Sequence, residues 1–249
     1  MRIALISDIH GNAVALDAVI DDIAQRAVDQ IVCLGDVATL GPQPRAVIAR
    51  LQDLGCVGIV GNHDRNLFDS GFLEQSHAMY SARVLAATVW CQQQLEPTDL
   101  AYLCTYLPRM RFDLGGGMSL LCFHGSPASC REVIVATTPE AELEAHFSPY
   151  SATVLAGGHT HVPMLRRYHS SVLLNPGSLG QPFEHFPTLG ERPCILPWAE
   201  YAIVSQVKGV LDIDLRRVPV DGVAVRQAVL ASDLPLQDVL LSPVIGHGE

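Results

Sequence analysis

Short apolar runs recur along the chain, and half of them are followed directly by a glycine or an aspartate. In most of these runs the apolar residues are nearly continuous rather than alternating, which is typical of strands covered on both faces. Their lengths are those of β-strands and not of long helices. The runs lie at residues 2–7, 30–34, 56–60, 118–123, 153–156, 171–174, 200–206 and 210–216.

Helical patterns alternate with the first of these strands. Apolar residues spaced for one helix face occur at 13–26, and a second helical pattern occupies 44–54. This alternation of strand and helix predicts an α/β layer fold. Further along we expect a helix at 76–94 with Ser76 as its cap, a helix at 97–103, one begun by Thr138 and Pro139, and a last one at 223–231.

Composition and charge narrow the class of protein. Of the 249 residues, 49% are hydrophobic and only 17% are charged, which is enough apolar material for one large core and excludes a mainly disordered chain. We therefore expect a single domain over residues 1–249. With 16 basic and 26 acidic residues the formal net charge is −10, which disfavours binding to extended nucleic acid.

The cysteines and the N-terminal residues indicate the compartment. The seven cysteines are scattered and form no C-x-x-C pair, which is typical of reduced thiols in a cytoplasmic protein. The first apolar run is broken at Asp8, too early for a signal peptide, and no run reaches the length of a membrane helix. We expect a cytoplasmic protein without a membrane partner, and the oligomeric state stays open.

Polar blocks follow five of the predicted strands directly. In an open α/β sheet, ligands bind at the carboxyl ends of strands, so blocks that span about 150 residues of sequence can meet at one place. Residues two apart in an extended segment point to the same side, which lets one block aim two side chains at one point. The blocks are Asp8-Ile9-His10, Gly35-Asp36, Gly61-Asn62-His63-Asp64, His124-Gly125 and Gly158-His159-Thr160-His161.

The residue types in these blocks suit a divalent metal. Carboxylates, imidazoles and an amide oxygen bind Mn²⁺, Fe²⁺, Zn²⁺ or Mg²⁺, and the lack of thiolates argues against a structural zinc site. Seven candidate ligands exceed what one four-coordinate ion uses, so two ions that share a carboxylate fit better. Taken singly, each block also reads as a turn, a hydrogen-bonded histidine or a single metal site. Their joint occurrence, in order and after strands, favours the two-ion interpretation.

The blocks together resemble the pattern of the calcineurin-like metallophosphoesterases, D-x-H, G-D, G-N-H-[DE], H and G-H-x-H, and every position of it is filled. Residues 35–42 (G-D-x-x-x-x-G-P) and 175–182 (N-P-G-S-x-G-Q-P) are similar to a small bacterial and archaeal phosphodiesterase-like branch. The resemblance implies a four-layer sandwich of two mixed β-sheets flanked by helices. In such a domain, we expect a helical segment at about 76–107.

Carried over position by position, the resemblance also implies roles for single residues. One ion would be held by Asp8, His10 and His161, and Asp36 would bridge to the second ion. Metal-bound hydroxide would be the nucleophile, and His63 would stabilise charge on the phosphoryl group or protonate the leaving oxygen. The remaining ligands of the second ion would be Asn62, His124 and His159.

Two further residues are candidates for contact with the substrate. Arg65 follows the third block and would either bind phosphate or form a surface ion pair. Phe183 stands where the similar branch usually carries arginine, inside the loop 181–198, which has four prolines and is long for a structureless connection. We predict that this loop folds over the metal site. The alternative is that its aromatic residues pack it onto the core.

The resemblance implies a phosphoesterase that hydrolyses a small phosphodiester, phosphomonoester or nucleotide with two divalent ions. The candidate ions are Mn, Fe, Zn, Ni and Co, with Mn the expected choice in vitro. A protein Ser/Thr or Tyr phosphatase is an alternative, although the arginine of the Ser/Thr enzymes' second block is missing between Gly35 and Gly41. A non-catalytic scaffold with the same fold is the other alternative, although such scaffolds have typically lost ligands.

Overall fold

Two five-stranded sheets form the centre of the computed structural model, which describes residues 1–188 and 191–241. Their strands correspond to the apolar runs of the sequence, with two additions at β4 and β7. In chain order they are β1 (Arg2–Ile6), β2 (Gln30–Cys33), β3 (Val57–Gly58), β4 (Met110–Gly115), β5 (Met118–Cys122), β6 (Val154–Ala156), β7 (Met164–Tyr168), β8 (Ser171–Asn175), β9 (Trp198–Val207) and β10 (Val210–Pro219).

Both sheets are mixed. The first has the order β10-β9-β1-β2-β3, in which β1 pairs parallel with β2 and antiparallel with β9. The second has the order β4-β5-β6-β8-β7, in which β5, β6 and β8 run parallel and the strands at both edges run antiparallel. The parallel strands at the centre of each sheet end at the same edge, and this is where the polar blocks follow.

Helices connect and cover the sheets. They are α1 (Ala13–Ala24), α2 (Pro44–Asp53), α3 (Asn62–Phe68), α4 (Ser70–Ser76), α5 (Ala82–Gln94), α6 (Pro97–Leu103), α7 (Glu140–Phe147), α8 (Gly222–Ala231) and α9 (Gln237–Leu240). Within the described residues, no helix is both long enough and apolar enough to cross a membrane. Residues 242–249 lie outside the described part of the chain, so the prediction of one domain over 1–249 stays a prediction.

Two helix starts differ from the prediction. Ser76 does not cap a helix at 76–94, because it ends α4 and its hydroxyl lies within hydrogen-bond distance of two acceptors, Asn66 Oδ1 and the Phe72 carbonyl oxygen. The helix α5 begins six residues later, where Ser81 accepts a hydrogen bond from the Val84 amide. Likewise Thr138 does not cap α7, since its hydroxyl accepts from the Val135 amide in the preceding turn.

Three apolar clusters hold the layers together. The cluster between the sheets contains Ile3 and Leu5 of β1 together with Leu120 of β5 and Val154 of β6, and all four are almost fully buried. A second cluster packs the outer face of the first sheet against α1 and α2, and a third packs the second sheet against α7. The order helix, sheet, sheet, helix confirms the predicted four-layer sandwich.

Candidate metal centre

The five polar blocks converge at the carboxyl ends of strands from both sheets. Asp8 and His10 follow β1, Asp36 follows β2, and Asn62 opens α3 just after β3. From the second sheet, His124 follows β5, while His159 and His161 follow β6. All seven predicted ligands are therefore brought together, although they come from distant parts of the sequence.

The side chains form two compact clusters. In the first, one ligand atom each from Asp8, His10 and His161 lies within 4.8 Å of the others. In the second, ligand atoms of Asp36, His124 and His159 meet the same limit. These clusters match the two ligand sets implied by the resemblance. The amide of Asn62 joins the second cluster, with its Oδ1 3.0 Å from His124 Nε2.

Hydrogen bonds to backbone carbonyls determine the tautomers of the two histidines in the first cluster. His10 Nδ1 lies 3.1 Å from the Thr39 carbonyl oxygen, and His161 Nδ1 lies 2.7 Å from that of Gln181. A carbonyl only accepts, so each Nδ1 carries the proton and each Nε2 presents a lone pair. The two Nε2 atoms face each other at 3.0 Å. Two lone pairs at this distance repel each other, so either a proton on one ring or a metal ion has to lie between them.

A carboxylate completes this first cluster. Asp8 is fully buried, and its Oδ1 makes no hydrogen bond of normal geometry with the described residues, although His161 Nε2 lies 3.3 Å away. Burial alone would raise the pKa of Asp8, but the neighbouring His161 and His124 lower it to about 2. A buried, ionised oxygen without a donor is a costly arrangement that a bound cation would compensate.

The second cluster has the same acceptor-only character. His124 Nδ1 contacts the Leu34 carbonyl oxygen at 2.7 Å, which turns Nε2 toward Asp36 Oδ2 at 3.2 Å. Burial acts to lower the pKa of His124, yet the charges of Asp36 and Asp8 raise it to about 10. In the protein without an ion, a proton on Nε2 therefore takes the place of the cation.

The other ligand groups have the protonation states that a metal needs. Burial, reinforced by neighbouring imidazoles, lowers the pKa of both His10 and His159 to about 3, so their rings are neutral near pH 7. The pKa of Asp36 lies well below its ordinary value, because His124 and His63 outweigh the effect of burial. Neutral imidazoles and ionised carboxylates are the forms that bind divalent metals.

The backbone at the ligands is strained. Five candidate ligands have positive φ angles, a conformation that costs a non-glycine residue about 1–3 kcal/mol and is concentrated at functional sites. Gly61 shows how tightly the loops approach, because a Cβ there would lie 2.1 Å from Asp36 Oδ1. The five angles are 53° at Asp8, 46° at His10, 57° at Asp36, 71° at His159 and 59° at His161.

His63 lies beside the clusters. Its backbone N–H donates to Asp36 Oδ1 at 2.9 Å, and its ring meets that of His10 edge-on with centroids 5.5 Å apart. The ring is buried, its Nδ1 has no hydrogen-bond partner among the described residues, and burial lowers its pKa. His63 is therefore a neutral imidazole with an uncommitted ring nitrogen.

Two supporting residues were missed by sequence reasoning. Asp64 accepts from the backbone N–H groups of Asp36, Val37 and Gly61 at 2.8–3.0 Å, although it stood in the third block. Tyr80 stacks on His63 with ring centroids 5.1 Å apart and accepts from Asn62 Nδ2 at 2.6 Å. It carried no sequence signal, because only the folded chain brings it to the third block.

The two candidate substrate residues have different surroundings. Arg65 pairs with Asp69 at 2.9 Å, one helical turn away, and its guanidinium lies over the Phe72 ring at 4.3 Å. This is the surface ion pair that was the alternative to phosphate binding. Phe183 instead stacks on His161, with ring centroids 4.2 Å apart. Its contribution to substrate binding stays a prediction.

The loop 181–198 lies partly on the site and partly away from it, and residues 189–190 are outside the described part. Near the site, the Gln181 carbonyl holds His161, and Phe183 pairs with Ile195 across the loop. Further out, residues 193–198 line a cavity of about 280 Å³ against α8 and α9. The start of the loop therefore lies at the site, and whether the loop narrows access to it stays a prediction.

Comparisons with known proteins agree with this geometry. Residues 1–190 match the family described as calcineurin-like phosphoesterase superfamily domain. The Methanocaldococcus jannaschii protein MJ0912 is 30% identical over 201 residues, which cover 72% of this chain and 76% of that protein. The family match includes all five polar blocks and spans well over half of the chain.

Solved structures are similar over almost the whole chain. A metallophosphoesterase from Sphaerobacter thermophilus is 27% identical, with a TM-score of 0.73 and coverage of 97% of this chain and 98% of that one. The protein PH1004 from Pyrococcus horikoshii is 19% identical, with a TM-score of 0.78 and 96% coverage of each chain, and shows the same fold.

Proposed function

The chain belongs to the calcineurin-like phosphoesterase superfamily, and on this basis we propose that it hydrolyses a small phosphate ester with two divalent metal ions. The observation that carries the proposal is the pair of acceptor-only clusters. In the first, Nε2 of His10 faces Nε2 of His161 at 3.0 Å, and in the second, Nε2 of His124 faces Asp36. Both arrangements fit a cation.

The two clusters would hold one ion each, with Asp36 shared between them. Bound divalent ions supply Lewis acidity at the phosphoryl group and lower the pKa of water. The chain contributes rigid ligand positions, because each imidazole that contacts a carbonyl is already held in the metal-binding tautomer. The strained backbone conformation at five of the ligands is likewise typical of a site that is organised before the substrate binds.

His63 would act as a hydrogen-bond donor to the substrate. Its lowered pKa keeps the imidazole neutral near pH 7, and two nearby cations would disfavour the charged form further. A neutral imidazole still has one N–H to donate, and the Nδ1 atom has no partner among the described residues. This favours stabilisation of a phosphoryl oxygen over transfer of a proton from an imidazolium.

Charge favours a small substrate. The formal net charge of −10 would repel an extended nucleic acid, whereas two divalent ions would place the largest positive charges inside the cleft. A phosphodiester, phosphomonoester or nucleotide fits this distribution, and Mn²⁺ suits the mixed nitrogen and oxygen ligands. We place the enzyme in the cytoplasm, where its seven free cysteines would stay reduced.

The decisive experiment compares the wild type with His63→Ala after loading with Mn²⁺. We expect metal-dependent cleavage of nitrophenyl phosphate or bis-nitrophenyl phosphate by the wild type. His63→Ala should lower kcat by about 10²–10³-fold, the usual contribution of one positioned hydrogen-bond donor to a developing negative charge, without changing the metal content. His169→Ala is the matched control, since that exposed histidine pairs with Glu144 and should leave turnover unchanged.

The same assay separates the alternatives. Absence of turnover with Mn²⁺, Fe²⁺, Ni²⁺ and Co²⁺ across monoesters and diesters would contradict the enzyme and favour a scaffold. Faster turnover of a phosphopeptide than of bis-nitrophenyl phosphate would favour a protein phosphatase. We expect the opposite order.

A further inference from the structure

Tyr80 contacts two residues of the site from an element that holds none of the ligands. It lies in the turn between α4 and α5, directly before the cap Ser81. Its hydroxyl oxygen is 2.6 Å from Asn62 Nδ2, and its ring lies almost parallel to that of His63, at an interplanar angle of 12°. One side chain therefore contacts both functional residues of the third block.

The turn that carries Tyr80 is held firmly in place. The Tyr80 backbone N–H donates to the Ser76 carbonyl at 2.9 Å. The Ser76 hydroxyl donates to Asn66 Oδ1 of α3 at 2.8 Å, and it accepts from Arg131 Nη2 at 2.6 Å. The guanidinium of Arg131 in turn lies 3.5 Å over the Phe72 ring. This network ties the turn to α3, so it holds the Tyr80 side chain in a defined position beside Asn62 and His63.

The Tyr80 hydroxyl group supplies the hydrogen-bond acceptor that the Asn62 amide needs when its oxygen binds a metal ion. An amide that turns its oxygen toward a cation directs its NH₂ group the other way, and this buried donor needs an acceptor. Tyr80 Oη is that acceptor. Without it, the amide would lose a hydrogen bond in the orientation that binds metal, and the metal-binding orientation would become less populated.

The Tyr80 ring orients the His63 imidazole by packing against it. The His63 imidazole is confined between the Tyr80 face and the edge of His10, at centroid distances of 5.1 and 5.5 Å. Since its Nδ1 has no hydrogen bond to the described residues, stacking is what restricts rotation of the ring. We propose that Tyr80 is a positioning residue, whose hydroxyl orients the Asn62 amide and whose ring orients the His63 imidazole.

This inference rests on the proposed two-metal function, and Mn²⁺ titration followed by calorimetry tests it without substrate. The wild type should bind two ions. Tyr80→Phe keeps the ring and removes the acceptor, so it should weaken one of the two binding events by about 10–100-fold, the usual effect of losing an outer hydrogen-bond partner of a ligand. The other event should stay unchanged. At saturating Mn²⁺, its kcat should return close to that of the wild type.

Tyr80→Leu tests the ring separately. It should share the metal defect, and in addition its kcat at saturating Mn²⁺ should fall about 10–100-fold below that of Tyr80→Phe, because a misplaced catalytic group costs rate. KM should change little. Tyr102→Phe is the matched control, since it loses a hydrogen bond to the Cys56 carbonyl outside both clusters and should titrate like the wild type.

The outcomes separate the two proposals. A wild type that binds no Mn²⁺ and shows no turnover would overturn the proposed function and this inference with it. A wild type that binds two ions, with a Tyr80→Phe titration identical to it, would overturn the role of the hydroxyl alone. Equal kcat for Tyr80→Leu and Tyr80→Phe at saturating Mn²⁺ would overturn the role of the ring. Equal weakening of both binding events would indicate general destabilisation and also contradict the proposal.

Discussion

Three of the candidate ligand histidines share one hydrogen-bonding arrangement. In His10, His124 and His161, Nδ1 contacts a backbone carbonyl oxygen at 2.7–3.1 Å, so the Nε2 atoms face the clusters. The carbonyls belong to Thr39, Leu34 and Gln181, which lie next to other parts of the site. The protein therefore sets the tautomer and direction of these rings before any ion binds, which favours metal affinity.

The raised pKa of His124 leads to a prediction about pH. In the metal-free protein its folded pKa of about 10 exceeds the ordinary value of 6.5, so protonation stabilises the folded state. This stabilisation is complete below pH 6.5 and is lost as the pH rises toward 10. We expect the free energy of unfolding of the metal-free protein to fall across this window, as measured by urea titration at several pH values.

A bound metal ion would replace that proton, and this provides the control for the prediction. Calorimetry of Mn²⁺ binding at pH 8 in buffers of different ionisation enthalpy should show release of about one proton as His124 gives way to the ion. The metal-saturated protein should lose the pH dependence assigned to His124. A metal-free protein whose stability stays constant between pH 6.5 and 10 would contradict this account.

The ligand positions and their supports differ in how far the sequence predicts them. The seven ligands stand in short blocks with fixed spacing, directly after apolar runs, so their convergence follows from strand ends that share one edge. Tyr80 has no such local pattern, and the motifs that contain Thr39 and Gln181 give no sign that the carbonyls of these residues hold histidines. They are selected by contacts across the fold, which one sequence does not display.

Among the elements, the segment between β3 and β4 shows where local pattern misleads. Residues 76–94 have helical composition almost throughout, and Ser76 is a good cap by residue type. In the structure Ser76 is fully buried and bonded to Asn66 and Arg131, so the chain turns there and α5 starts after Ser81. The tertiary network outweighs the local preference, and the resulting turn is what places Tyr80 on the site.

The loop 181–198 is the element that we expect to affect substrate choice. Phe183 is half-buried, with one ring face on His161. If its other face contacts the substrate, Phe183→Leu should raise KM for bis-nitrophenyl phosphate about 2–10-fold, the value of one aromatic contact, and leave KM for an alkyl phosphate unchanged. Steady-state kinetics with both substrates measures the difference.

A second aromatic residue of the same loop is the matched control for this test. Phe186→Leu makes the same chemical change three residues further along the loop, outside the ring contact between Phe183 and His161, and both KM values should stay at their wild-type level. An equal rise of KM for aryl and alkyl esters in Phe183→Leu would point instead to a disturbed His161. That result would remove Phe183 from the substrate-contacting residues.

At the scale of the whole molecule, each cluster joins the two sheets. Asp8 and His10 come from the first sheet and meet His161 from the second, while Asp36 of the first meets His124 of the second. The α/β class was predictable from the alternation of strands and helices, and the four-layer sandwich from the motifs that resemble the family, because both patterns lie in short stretches of sequence. That each ion would bridge the sandwich was not, since strand order within and between the sheets depends on the packed core.

A bridge between the sheets should stabilise the fold. At a free-ion concentration 100 times Kd, one bound ion adds about 2.7 kcal/mol, which corresponds to roughly 5–10 °C in Tm for a chain of this length. Scanning calorimetry should therefore show a drop of this size per ion when EDTA removes Mn²⁺. His161→Ala, which opens the first cluster, should lose about half of the shift, whereas His169→Ala should keep all of it. A Tm unaffected by EDTA in the wild type would contradict the bridge.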